Sequence, residues 1–118
     1  MMQKLSGELT EEEYTARGQV EMLESRAVVV QITATWCRAC TFMLQKLGKL
    51  APQYPDVICV QFQAETLPPL LGDIGAKSLP AFVLFHRGKQ LELQYIKETA
   101  RLAAMLDRAT ELSNSSNR

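Results

Sequence analysis

Cys37 and Cys40, in the stretch TATWCRAC at residues 33–40, are the side chains best placed to do chemistry. Two thiols three positions apart, directly behind the chain's one tryptophan, Trp36, can close a disulfide, supply half of a metal site, or simply pack. A zinc site needs four ligands. Beyond the pair, the only other cysteine and histidine are Cys59 and His86, both in expected strands and not paired at ligand spacing. A metal or cluster bridged between two chains needs no further ligand from either, and structural thiols need no reactive setting. A redox pair needs a thiolate, and the setting of Cys37 favours one. The pair follows an apolar strand and opens a helix, where free amides and the positive end of the dipole lower a thiol's pKa. Cys40, one turn later, lies within reach and less exposed. This suits Cys37 as the nucleophile that attacks a partner's disulfide and Cys40 as the thiol that resolves the mixed disulfide. The redox reading is favoured, with bridged-metal and structural readings as the alternatives.

The elements that must hold the pair are legible from periodicity. RAVVVQIT, with its β-branched run, predicts a strand buried on both faces. A helix begins near Cys37, with Met43, Leu47 and Leu50 as its buried stripe and Pro52 near its end. DVICVQF (56–62) is a second apolar strand. Thr66 is a candidate cap for a short helix with Pro68 and Pro69 in its first turn. AFVLFH (81–86) and QLELQYI (90–96) flank Arg87-Gly88 as a hairpin. Thr99 is the expected cap of a last helix with Leu102, Met105, Leu106, Ala109 and Leu112 on one face. Upstream, Thr10 and Glu13 form a capping-box pattern ahead of a first helix at about 10–24. A short edge strand is placed at residues 3–6.

Alternating strands and helices imply βαβ crossovers and a parallel sheet, to which the final hairpin adds antiparallel strands. The expected fold is α/β, a central mixed sheet flanked by helices on both faces. The organisation is an N-terminal segment at 1–9, one domain at 10–112, and a flexible tail at 113–118, where SNSSNR lacks apolar residues.

Composition narrows the function. The chain has 118 residues, 47% hydrophobic and 22% charged, with zero formal net charge. One domain with one core fits that length. A balanced charge gives no electrostatic reason to expect nucleic acid or a membrane surface as partner. The longest aliphatic run, Ala27–Val30, is far too short to span a bilayer. The opening MMQKLSGELTEEE lacks an apolar signal core and is acidic, unlike a secretory or transit peptide. Three cysteines with one tight pair do not form a secreted disulfide scaffold, so a reducing intracellular compartment is expected. No Gly-rich phosphate loop, metalloprotease motif or serine triad is visible.

Taken together, these features resemble the thioredoxin family over about residues 10–112. Trp36-Cys37-x-x-Cys40 follows the central strand, Leu79-Pro80 matches the family's Ile-Pro, and FHRG (85–88) matches the strand end and turn after it. Within the family, WCRAC and QKLGKLA look most like the plant and algal chloroplast thioredoxin-like proteins with a Trp-Cys-Arg-x-Cys site. The resemblance implies a redox-active Cys37–Cys40 disulfide and a cis Leu79–Pro80 bond. It also implies a substrate groove formed by Trp36, Leu79 and Pro80. No cofactor or metal is implied. Partners would be disulfide-bearing proteins and a reductase or small-thiol electron donor, acting on a monomer in the chloroplast stroma or cytoplasm.

Departures from the family bear on the chemistry. Arg38-Ala39 replaces Gly-Pro between the cysteines. A cation beside Cys37 favours its thiolate and so the reduced form, which makes a weaker reductant. Gln31 stands where the family has a buried aspartate, and an amide cannot accept a proton at neutral pH. The family's lysine partner to that aspartate is matched to Cys59. Gln45 replaces a helix-kinking proline, and Tyr95 or Ile96 replaces a glycine beside the groove. The sequence therefore predicts a thiol–disulfide oxidoreductase with Arg38, Ala39 and Gln31 tuning the pair. The alternatives are a thioredoxin-fold binding module with weak or no turnover, and a disulfide oxidant or isomerase.

Overall fold

A computed structural model describes residues 2–4, 7–8, 27–66, 68–87 and 89–115; the helix expected at 10–24 lies outside them. Six strands form one sheet: β1 (Met2–Lys4), β2 (Gly7–Glu8), β3 (Ala27–Thr33), β4 (Val57–Gln63), β5 (Ala81–His86) and β6 (Lys89–Tyr95). Their order across the sheet is β2-β1-β4-β3-β5-β6. Three helices complete the described fold: α1 (Arg38–Leu50), α2 (Pro68–Ile74) and α3 (Thr99–Ser115), with a 3₁₀ turn at Ala51–Gln53.

β3 is central because every one of its side chains can be buried. All seven residues are buried, which a strand covered on both faces requires. It runs parallel to β4 and antiparallel to β5. The β3–α1–β4 crossover puts the start of α1 at the C-terminal end of β3. β1 pairs antiparallel with β4. β5 and β6 form the expected antiparallel hairpin, with a bulge between Leu84 and Phe85. Arg87 turns it at φ 55°, the left-handed region that tight hairpins demand.

Each face of the sheet carries its own apolar layer. On one, Val29, Cys59 and Phe82 pack with Met43 and Leu47 of α1 and Leu102, Met105, Leu106 and Ala109 of α3. On the other, Val28, Val30, Ile32, Val60 and Val83 pack with Ile74 of α2, and Leu79 joins their edge. Gly75, at φ 83°, ends α2 with its amide directed to the carbonyls of Leu71 and Gly72, the left-handed stop that glycine adopts without strain. Among the described residues no helix is long and apolar enough to cross a membrane.

Two expected boundaries move. α3 starts at Thr99 itself, and the Leu102 amide bonds to the Glu98 carbonyl at 3.2 Å. Glu98, not Thr99, therefore holds the cap position. At the other end, α3 continues through Ser115, past the tail boundary drawn at 113. Ser113 is 1% exposed. Its hydroxyl accepts from the Ala27 amide at 2.8 Å and donates to the Asp56 carbonyl at 2.9 Å. Those two bonds hold the last turn against the starts of β3 and β4, so polar composition alone misjudges it.

Candidate active site

β3 delivers the chain to the site and α1 receives it. After Thr33, a turn closed by the Cys37 amide on the Ala34 carbonyl (3.2 Å) swings the backbone into the helix. Cys37 occupies the cap position of α1 with an extended backbone (φ −98°, ψ 107°). Its Sγ accepts a hydrogen bond from the Cys40 amide at 3.2 Å, in the manner of a serine or aspartate cap. The Thr41 amide closes the first helical bond on the Cys37 carbonyl. A negative charge on Cys37 Sγ would thus face a backbone N–H and the positive end of α1, and no acidic side chain sits in the first turn to oppose it.

Cys37 and Cys40 are joined by a disulfide, with their Cα atoms 5.2 Å apart. The two sulfur-bearing residues are unequally accessible. Cys37 is 9% exposed and Cys40 is 0% exposed. Ala34, Ala39 and Leu79 pack around them. Trp36 is 73% exposed beside the pair in sequence, and Arg38 is exposed at the first helical position. The Leu79–Pro80 peptide bond is cis. Leu79 is half-buried and Pro80 buried.

Gln31 lies beneath α1, wholly inaccessible. Its Nε2 donates to the Cys40 carbonyl at 3.0 Å, while its Oε1 has no partner among the described protein groups. The sheet register corrects one expectation about its neighbour. Gln31 stands opposite Gln61, and Cys59 stands opposite Val29. Both candidates are neutral, so the absence of a charged pair holds, but the residue facing Gln31 is a half-buried glutamine. Cys59 belongs to the apolar layer under α1 and α3 rather than to the disulfide's surroundings. Burial there pushes its thiol up to about 12, so it stays protonated and inert. Among the described residues no three His, Cys, Asp or Glu side chains gather closely enough to hold a metal.

The structure also separates Tyr95 from Ile96 at the position left open by sequence. Ile96 is fully buried in the core, whereas Tyr95 is 39% exposed. Its hydroxyl accepts from the Lys77 amide at 3.0 Å, and its backbone lies opposite Ala81. One side chain thus spans the segment that carries Leu79 and Pro80. Sequence reasoning could flag its size but not this bond.

A disulfide at the start of a helix, packed by the residue before a cis-proline, is a recurrent arrangement, and comparison with known proteins identifies it. The thioredoxin family model matches residues 6–108. The chain belongs to the thioredoxin family. Thioredoxin Asp f 28 of Aspergillus fumigatus is 29% identical over 75 residues, covering 64% of this chain and 69% of that protein. Thioredoxin H8 of Arabidopsis thaliana is 28% identical over 87 residues, covering 74% of this chain and 59% of the relative. The chloroplastic thioredoxin-like 2-2 of the same plant is 30% identical over 69 residues, covering 58% of this chain but 29% of its own length. The chain therefore spans less than two thirds of the latter two relatives. Among solved structures, a thioredoxin from Nicotiana alata superposes with a TM-score of 0.78 at 21% identity, covering 85% of this chain and 87% of that one. Thioredoxins are thiol–disulfide oxidoreductases, and the cysteine pair of that chemistry is present in this chain.

Proposed function

We propose that the protein exchanges its Cys37–Cys40 dithiol for disulfides on protein substrates. The observation that carries this reading is the asymmetry of the pair: Cys37 Sγ accepts from a helix N-terminal amide and its residue keeps 9% of its surface exposed, while Cys40 is fully buried. In the reduced protein the Cys37 thiolate attacks one sulfur of a substrate disulfide and expels the other as a thiolate. Cys40 then loses its proton and attacks Cys37 Sγ, which closes the intramolecular disulfide and releases the second substrate thiolate. Two electrons pass to the substrate. A reductase or small thiol returns them. Trp36, Leu79 and Pro80 border the groove that receives the substrate.

Two features argue for a couple that reduces less strongly than its relatives and resolves slowly. Arg38 puts a cation next to Cys37, which stabilises its thiolate and the reduced form. Gln31 supplies no proton acceptor where Cys40 must be deprotonated. A titration against glutathione is expected to place the potential above the roughly −270 mV typical of thioredoxin. An equal or lower value removes this refinement. A disulfide-reduction assay on insulin tests the activity itself.

The missing base also favours a second reading, a groove that holds a partner while the cysteines turn over poorly. The doubly substituted Cys37→Ser, Cys40→Ser protein separates the two: if it still performs the biological role, redox turnover is not the function. The name of the chloroplastic relative supports the chloroplast as one compartment, with the cytoplasm as the other; fractionation of tagged protein decides between them.

A further inference from the structure

Gln31 uses its two amide atoms unequally. The Cys40 carbonyl can only accept, so the contact at 3.0 Å fixes Nε2 on that side. The amide oxygen is left buried without a partner among the described protein groups. An unpaired buried acceptor is costly, because it forgoes its bond to water without gaining another, and most such groups in folded proteins are paired.

The same amide is held on Cys40, one of the two residues whose hydrogen count changes with redox state. In the disulfide, Cys40 Sγ carries no hydrogen. On reduction it becomes an S–H at a wholly inaccessible position, and that donor also needs an acceptor. The apolar side chains packed around the pair, Ala34, Ala39 and Leu79, offer none; the Cys37 sulfur and Gln31 Oε1 are two groups that could accept. We propose that Gln31 Oε1 accepts the hydrogen bond of the Cys40 thiol in the reduced protein. Gln31 is then a positioning residue with one bond common to both states and one made only after reduction. The inference rests on the redox reading above.

The electrons and protons balance as follows. A dithiol donor delivers two electrons into the Cys37–Cys40 bond and leaves as its own disulfide. Of the two protons its thiols release, one goes to Cys40 Sγ. The other goes to Cys37 Sγ, or to solvent where Cys37 is a thiolate. The Cys40–Gln31 bond stabilises the reduced form and also the neutral form of Cys40. The couple becomes less reducing, and the resolving thiol gives up its proton less readily.

Infrared spectroscopy of the full chain, reduced with dithiothreitol, reads the bond directly. The Cys40 S–H band, assigned by its loss in Cys40→Ala, is expected below the frequency of a free thiol. Gln31→Met should return it to the free position. In a glutathione titration, Gln31→Met should shift the equilibrium about tenfold toward the disulfide, a potential lower by ~30 mV. A free-thiol band for Cys40 in the unsubstituted protein overturns the proposal without any need for Gln31→Met to fold. A displaced band that Gln31→Met leaves unmoved also overturns it, because the acceptor is then another group. Dithiothreitol reduces the pair whether or not the protein turns over substrates, so this result is independent of the double-serine test.

Discussion

The two ends of β3 handle buried polar groups in opposite ways. At the Ala27 end, the Ser113 hydroxyl both accepts and donates, to two segments far apart in sequence. Toward the Thr33 end, Gln31 donates once and leaves its oxygen unpaired. Both side chains are essentially inaccessible, so solvent does not explain the difference. The fully paired group ties three elements together and has nothing left to offer. The half-paired group lies next to the only disulfide among the described residues and keeps capacity for a second contact. The comparison suggests that stability and reactivity are separately adjustable along a single strand.

Four substitutions would sharpen or break that division. The largest effect is expected from Cys37→Ser, which should lower disulfide exchange by about 10³-fold or more in an insulin-reduction assay. Substantial remaining activity would mean that the reactive end is misplaced. Next, Ser113→Ala should leave the Ala27 amide and Asp56 carbonyl short of a partner and cost about 1–3 kcal/mol in urea unfolding. The redox potential should not move; if it does, the two ends are coupled. Gln31→Asp should shorten the lifetime of the mixed disulfide by about tenfold, read by rapid quench and mass spectrometry, because a carboxylate can take the Cys40 proton. An unchanged lifetime would show that deprotonation does not limit resolution.

The smallest effect tests a pair that belongs to neither end. Glu92 accepts two bonds from the Arg108 guanidinium, at 2.8 and 2.7 Å, on the outer surface of β6 and α3. The hydrogen bond from Arg108, chiefly, holds the Glu92 carboxyl below its ordinary range. A carboxylate with a depressed folded pKa contributes stability above its unfolded pKa and loses it as pH falls through the folded value. Arg108→Ala should therefore cost at most about 1 kcal/mol at pH 7, since the pair is partly exposed. The difference from the unsubstituted protein should shrink as pH falls through the depressed folded pKa of Glu92 and vanish once the carboxyl is protonated in both states. A cost several times larger would mean that surface pairing, rather than β3, dominates the stability of this sheet edge.

Much of this was readable from sequence because it depends on local pattern. The β-branched run of β3 and the apolar stripe of α3 each state their own burial, whereas the alternation in β6 marks a strand without marking its burial, since Leu91 is 47% exposed. The cysteine pair was readable because strand, turn and helix adjoin in the chain. What escaped depends on distant segments meeting. Ser113 reads as tail until Ala27, 86 residues away, is brought to its hydroxyl. Cys59 and Gln61 lie on the same face of β4, since side chains alternate with a period of two. Pattern alone cannot say which of them faces Gln31; only the register with β3 does. The Tyr95 hydroxyl bond likewise joins the edge strand to a loop that sequence leaves unpositioned.

The Ser113 contacts bear on where this domain can be cut. A protein trimmed after Leu112, the boundary that composition suggests, would keep every apolar side chain of α3 and lose the hydroxyl that its first central strand hangs from. Such a shortened domain should express as a looser fold with an intact reactive centre. A fusion partner is better joined beyond Ser115, where the final helical turn is complete.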